Sequence, residues 1–316
     1  MDTNTHPAGA VVVGVDGSDH SERAVDWAAV QAHGEGRPLV LAHGTGTLGR
    51  GPTAGTAYLL EADPHAGRVL HELSVAGHEL VEHAAARVTE RYPDLSVHTV
   101  VRTAHPRQVL LELSRDAALL VVGSRGHGPL RSVLLGSVSV GLAREASCPV
   151  VVIRPHNQGL VRQGVLVGID GTADSSPVLE FAYRYASTHD LPLTVLYSVW
   201  DLIATTGDSI GGEDSPDPGI EDARIRVAES ISGFGERYPD VHVRQTVTRG
   251  LPTAALTTAA ERMDLVVVGR HHRSGLGNVL LGSVAANVVE HASCVVAVVP
   301  VETVLARSGT NGAATG

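Results

Sequence analysis

Short, almost unbroken apolar runs recur along this chain, and between them apolar residues return at helical intervals. Val11 to Val15, Leu39 to His43, Val97 to Val101, Ala117 to Val122 and Val150 to Ile153 read as strands. Runs this apolar suit parallel strands covered on both faces. Ala24, Val25, Ala28 and Ala29 mark one side of a helix from about Ser21 to His33. A second helix is predicted from about Val69 to Tyr92, ended by Pro93, and Pro106 opens a third.

The same order returns in the second half. Strands are predicted at Val165 to Ile169, Leu193 to Ser198, Val241 to Val247, Leu265 to Val268 and Val295 to Val299. Helices are predicted up to about Thr188, from Glu221 to Tyr238, from Pro252 to Arg262 and from Gly282. Alternating strands and helices need right-handed crossovers and a sheet with helices on both faces. Each half is therefore expected to be an α/β domain with a doubly wound, five-stranded parallel sheet.

The halves are copies. LVVGSRGHGPLRSVLLGSVSVGLAREASCPVVVI from Leu120 is rewritten as VVVGRHHRSGLGNVLLGSVAANVVEHASCVVAVV from Val266. One offset of 146 relates Gly123 to Gly269, Gly136 to Gly282, Cys148 to Cys294 and the RYPD runs at Arg91 and Arg237. Asp16 and Asp170 are 154 apart, so the first copy carries about eight extra residues in a loop before its RYPD run. Domains are expected over 10–155 and 163–300, joined by a polar linker, with 301–316 a disordered tail. Two long loops, Gly44 to Gly67 and Trp200 to Gly219, follow the second strand of each copy, and surface loops and lids both fit them.

Composition narrows the chemistry. The net charge of −10 argues against a nucleic-acid partner, which needs clustered cations. MDTNTHPAGA at the start has neither a basic nor an apolar targeting region, and no apolar run is long enough to span a membrane, so a cytoplasmic protein without a membrane partner is expected. Two cysteines at equivalent places make no disulfide framework. All 24 basic residues are arginine. Without lysine there is no Walker A loop, no Schiff-base lysine for pyridoxal phosphate and no kinase strand lysine. If phosphate binds, backbone amides and arginine hold it.

The first copy spaces Gly123, Gly126, Gly136 and Ser137 as G-x2-G-x9-G-S. Gly123 and Gly126 let backbone curl closely around a phosphate, and Gly136 with Ser137 opens a helix whose first amides are unpaired. A glycine-rich turn with Ser137 as an ordinary cap fits the same letters. Asp16, just past the first strand, suits a contact to ribose or to a metal on phosphates, and Asp-Gly-Ser is equally a capping turn.

These segments resemble the universal stress protein family in its tandem, two-domain form. VVVGVDGS at the start, G-x2-G-x9-G-S before the last helix and SCPVVVI as the last strand carry the resemblance, which covers about Val11 to Pro300. The glycine signature is that of the family's ATP-binding branch, and the resemblance implies a Rossmann-like sheet ordered 3-2-1-4-5, with ATP at the carboxyl ends of strands one and four. Residue by residue, it implies Gly14, Val15 and Asp16 at adenine and ribose, with the Gly44 backbone at the adenine edge. Gly123, Ser124, Arg125, Gly126, His127, Gly128 and Pro129 are implied along ribose and triphosphate. Gly136, Ser137, Val138 and Ser139 are implied at the terminal phosphates, with Mg2+ carried on them.

In the second copy the matching positions are Gly168, Asp170, Val199 and Gly269, then Arg270, His271, His272, Arg273, Ser274 and Gly275, then Gly282, Ser283, Val284 and Ala285. His272 stands where the second glycine belongs and is expected to crowd a phosphate path. Adjacent His271 and His272 do not face one metal as i, i+4 pairs do, so no metal site is expected. The leading functional reading is an ATP-binding regulator in stress or dormancy with little or no turnover and an unidentified protein partner. A slow ATPase or nucleotidyl-transfer enzyme, with Asp16 placing metal or water and His127 as acid or base, is the second. A nucleotide-free scaffold is the third. The resemblance also implies pairing through the last strands and a homodimer.

Overall fold

The computed structural model describes residues 6–46, 64–126, 135–154, 163–199, 218–271 and 282–301. The chain divides into two compact units, Met1–His156 and Asn157–Gly316.

Unit 1 runs β1 (Val11–Gly14), α1 (Asp19–Gly34), β2 (Leu39–Gly44), α2 (Pro64–Arg91), β3 (Val97–Arg102), α3 (Pro106–Leu113), β4 (Leu119–Gly123), α4 (Ser137–Glu145) and β5 (Val150–Ile153). All its strand pairs are parallel, in the order β3-β2-β1-β4-β5, with Val11 opposite both Leu39 and Leu119. The centre of the sheet is dry: Val11, Val12, Val13, Leu39, Val40, Leu41, Leu120 and Val121 are all buried. Ala24, Val25, Ala28, Ala29 and Ala32 form the buried stripe of α1, and their small side chains let the helix lie close to the sheet. α1 begins two residues earlier than its apolar pattern indicates, because Ser18 caps it by accepting from the Ser21 amide. α3 opens with Pro106, and the His105 ring caps it by accepting from the Arg107 amide.

Unit 2 repeats the topology with β6 (Val165–Ile169), α5 (Ser176–Thr188), β7 (Leu193–Val199), α6 (Pro218–Ile231), α7 (Phe234–Arg237), β8 (Val243–Arg249), α8 (Pro252–Ala260), β9 (Leu265–His271), α9 (Ser283–His291) and β10 (Val295–Val301). Its pairs are also parallel, in the order β8-β7-β6-β9-β10. In chain order both sheets are 3-2-1-4-5, as the resemblance implies.

Three local differences from the sequence reading stand out, and the first two have physical causes in the chain itself. The helix predicted from Glu221 to Tyr238 is two helices, because Gly233 turns the chain with φ 81°. α7 is then pinned by stacking of Phe234 and Tyr238 on buried Tyr183, and by the Tyr238 hydroxyl donating to Glu180. At the start of α5, Pro177 has no amide to donate to Ala173, so one 3₁₀ turn (Ala173–Ser175) precedes the α-helix. Third, β9 runs on through Gly269 and Arg270 to His271, three residues past its predicted end at Val268. Of the predicted tail, Val301 is the last residue of β10, and 302–316 lie outside the described residues.

Candidate nucleotide cleft

The site of unit 1 is built where β1 and β4 deliver their chains past the carboxyl edge of the sheet. Val15 extends the ladder by donating to the Ala42 carbonyl at 2.9 Å, and the chain then turns at Asp16 and Gly17, the latter with φ 81°. One carboxylate oxygen of Asp16, Oδ1, accepts from the Ser18 amide at 3.0 Å and the Ser18 hydroxyl at 2.6 Å. The Ser21 hydroxyl accepts from the amides of Gly17 and Asp16 at 3.1 and 3.3 Å. So the capping turn is real, and it occupies Oδ1. The other oxygen, Oδ2, faces Gly126, where any Cβ would overlap it.

β4 arrives beneath the first turn of α1. A Cβ at Gly123 would stand 2.8 Å from the carbonyl carbon and oxygen of His20, so glycine is what lets the strand end pass so close to the helix. Ser124 then closes the loop. Its amide donates to Ile153 at 2.8 Å and its carbonyl accepts from Gly136 at 2.8 Å, bringing the start of α4 to the end of β4. The Ser139 hydroxyl donates to the Gly123 carbonyl at 2.7 Å and locks that approach. Gly136 offers no side chain to cap α4, which leaves the first-turn amides turned to the cleft with the positive end of the helix dipole.

Together these walls enclose a cleft of about 1260 Å³, roomy enough for a nucleotide. It lies at the carboxyl ends of β1 and β4, the topological switch point where ligands of open α/β sheets bind. Of the positions expected from the sequence, Gly14, Val15, Asp16, Gly44, Gly123, Arg125, Gly126, Gly136, Ser137, Val138 and Ser139 line it. Ser124 does not. It is 1% exposed and works from behind, through its backbone and through its hydroxyl 3.3 Å from the His20 ring. The Arg125 Nε is buried without a hydrogen-bond partner. His127, Gly128 and Pro129 lie outside the described residues.

His20, His43 and Arg107 also line the cleft and were not anticipated. His20 sits two residues into α1, where no motif marks it. Its pKa is held below the ordinary 6.5 by burial first, then by Arg23 and Arg125, against the opposing pull of Asp19 and Asp16. His43 donates from Nδ1 to the Val15 carbonyl at 2.7 Å, holding the end of β1. Arg107 is paired with Glu145.

Unit 2 keeps part of this arrangement. Gly168 packs on Leu256 as Gly14 packs on Leu110, each leaving 3.0 Å to a leucine methyl for a built Cβ. Asp170 repeats the turn: Oδ1 accepts from the Thr172 amide, the Thr172 hydroxyl and the Ser175 hydroxyl at 3.0, 2.7 and 2.8 Å. The strand register puts Ser198, not Val199, opposite the role of Gly44, because Leu39 and Leu193 both begin the pairing with the first strand of their unit. The Ser198 hydroxyl donates to the Gly250 carbonyl at 2.8 Å. Ser283, Val284 and Ala285 open α9 after an equally uncapped Gly282. Gly269, Arg270 and His271 are strand, paired with Val299, Pro300 and Val301. His272, Arg273, Ser274 and Gly275 lie outside the described residues. Among the described residues, no three of His, Cys, Asp and Glu gather as metal ligands, and no helix is long and apolar enough to cross a membrane.

Fold and cleft define a class: a tandem, doubly wound α/β protein with a switch-point cleft. The sequence profile of the universal stress protein family matches residues 8–154 and again 162–300, and the chain belongs to that family. It is 35% identical over 294 residues to a universal stress protein of Mycolicibacterium smegmatis, covering 92% of this chain and 96% of the relative. A Mycobacterium tuberculosis universal stress protein is 33% identical over 290 residues, with 89% and 92% covered. Among solved structures, a universal stress protein from Archaeoglobus fulgidus superposes with a TM-score of 0.64 at 18% identity, over 92% of this chain and 96% of that one. That last likeness concerns the fold.

Proposed function

We propose that unit 1 binds ATP, with Mg2+ carried on the phosphates, and that the protein is a nucleotide-dependent regulator in stress or dormancy with little or no turnover. The observation that carries this reading is the convergence of Asp16, Gly126 and the uncapped start of α4 on one cleft. In it, the Val15 and Gly44 backbone edges the adenine and Asp16 Oδ2 meets the ribose. The phosphates follow the chain from Gly123 to Gly126 and end on the amides of Ser137, Val138 and Ser139. The protein has no lysine, and Arg125, which lines the cleft with a buried and unpartnered Nε, is the cation assigned to that path. Holding is favoured over hydrolysis because Ser18 already engages Asp16 Oδ1, and His20 is tied to Ser124.

The test is whether purified protein releases ATP on heating, read by chromatography, and whether calorimetry with Mg-ATP shows saturable binding that Gly126→Ala weakens. No released nucleotide and no binding at millimolar Mg-ATP would overturn the reading. A turnover rate unchanged by Gly126→Ala belongs to something other than this cleft.

A further inference from the structure

Two charges in unit 1 sit at the wrong ends of their helices. Arg107 is the second residue of α3, where the helix dipole is positive, and Glu145 is the last residue of α4, where it is negative. Each placement is unfavourable for its own helix, and the two side chains meet: the Arg107 guanidinium donates to the Glu145 carboxylate. To reach it, Arg107 crosses α4 at Gly141. A Cβ built there would stand 2.4 Å from Arg107 Nε and 2.7 Å from its Cδ, so the arginine lies against bare backbone. A glycine in the middle of a nine-residue helix is itself a poor choice. Three locally unfavourable residues thus serve one contact.

Unit 2 does not repeat it. The positions 146 residues on are Thr253, Asn287 and His291. Asn287 donates to the Ser283 carbonyl and the His291 ring bonds to the Asn287 carbonyl, so both side chains turn back on their own helix.

The contact bears on the cleft through the helix it holds. α4 has no capping side chain, and Arg107 and Gly141 line the cleft together with Ser137, Val138 and Ser139 at the helix start. Ser124 and Ser139 tie that start to β4, whereas Arg107 ties the body of the helix to α3. Glu145 lies about 12 Å along the axis from Ser137 at 1.5 Å per residue, so its partner's guanidinium is directed away from the phosphate end.

We infer that Arg107 is a positioning residue for the phosphate end of the cleft. Braced on Gly141 and fastened to Glu145, it fixes the tilt of α4 and with it the amides of Ser137, Val138 and Ser139. This rests on the ATP reading of unit 1. Electrostatics separates a brace from a direct phosphate ligand. If Arg107 acted on the phosphates by its charge, loss of the Glu145 carboxylate would free the arginine, remove a repulsion and tighten ATP. If the pair is a brace, the same loss weakens ATP.

The experiment is calorimetry of Mg-ATP on the full chain, beside urea titrations. Arg107→Ala and Glu145→Ala are each expected to weaken ATP about threefold to fivefold, the scale of one partly exposed ion pair. Combined, they should weaken it no more than Arg107→Ala alone. Gly141→Ala displaces the arginine and should weaken ATP to a similar extent without lowering the urea midpoint, because alanine favours the helix. In the Arg107→Ala background, Gly141→Ala should change affinity no further. Unchanged or tighter ATP binding in Glu145→Ala overturns the brace. So does a Gly141→Ala loss that persists without Arg107, since the new methyl group then meets the ligand itself. No binding by the unaltered protein overturns the ATP reading and the brace together, whereas full binding by all the variants overturns the brace alone.

Discussion

Gly126 lies so close to Asp16 that a Cβ built on it would overlap Oδ2 of the carboxylate. Two motifs far apart in the chain thus touch at one atom, and the aspartate divides its oxygens between them. Oδ1 holds the turn into α1 through Ser18, and Oδ2 faces the glycine loop.

The Gly126→Ala variant should therefore lose nucleotide binding at small cost to folding, since Gly126 is exposed and lies beyond the last strand pair. A loss of at least about tenfold in affinity, with an unfolding free energy changed by no more than about 0.5 kcal/mol, is expected. Calorimetry beside a urea titration checks both halves. Equal affinity in the variant would show that the loop does not need to lie against Asp16.

Asp16→Ala and Asp16→Asn should separate the two jobs of that side chain. The alanine removes the acceptor of the Ser18 amide and hydroxyl and should cost about 1 kcal/mol of stability. Asparagine keeps an acceptor at Oδ1 and should fold nearly as well, while losing the charge beside Gly126. Urea denaturation of the pair is the measurement. If both are destabilised alike, the turn depends on the charge and not on the acceptor.

His20 should make the cleft respond to pH. Burial, Arg23 and Arg125 hold its pKa below 6.5, so the folded chain keeps it neutral where the unfolded chain takes up a proton. The stability this contributes is complete above pH 6.5 and is lost as pH falls through the folded value. A polyphosphate in the cleft favours the charged ring, so nucleotide binding should take up a fraction of a proton and tighten as pH falls from neutrality. Calorimetry in buffers of different ionisation enthalpy reads that uptake, and His20→Asn should reduce it to what ATP alone contributes. Identical uptake in the variant removes His20 from the linkage.

Packing behind the cleft is tight at Gly77 in α2. A Cβ there would come within 2.8 Å of His43 and 3.2 Å of Val101, and His43 in turn holds the Val15 carbonyl. Gly77→Val should cost about 1–3 kcal/mol and disturb the end of β1 as well as the core. A urea midpoint equal to that of the unaltered protein would mean that the helix moves aside freely.

At Gly233 the constraint is conformational, because nothing crowds its missing side chain and its φ is 81°. Gly233→Ala should destabilise by about 1–2 kcal/mol through left-handed strain alone. No change would show that α6 and α7 can join into one helix.

Much of this was legible in the letters. Strand positions in unit 1 follow from runs such as Val150 to Ile153, and the start of α3 follows from Pro106. The glycines and Asp16 announced one cleft. Where the reading fell short, the missing information was non-local. Gly233 is a glycine inside a helical pattern, and only its φ shows the break. Val199 looked like the partner of Gly44 until strand pairing put Ser198 in that register. His20 carries no motif, and its importance comes from β4 passing under α1.

By itself, the sequence determined the element order, the duplication and the glycine spacing, because hydrophobic period and backbone permissiveness are properties of short stretches. Only the tertiary structure decided how far each ladder runs: to Gly123 in one copy and to His271 in the other. That depends on pairing with a strand many residues away. Whether an amide at the end of a strand is free for a ligand is settled by its neighbour across the sheet.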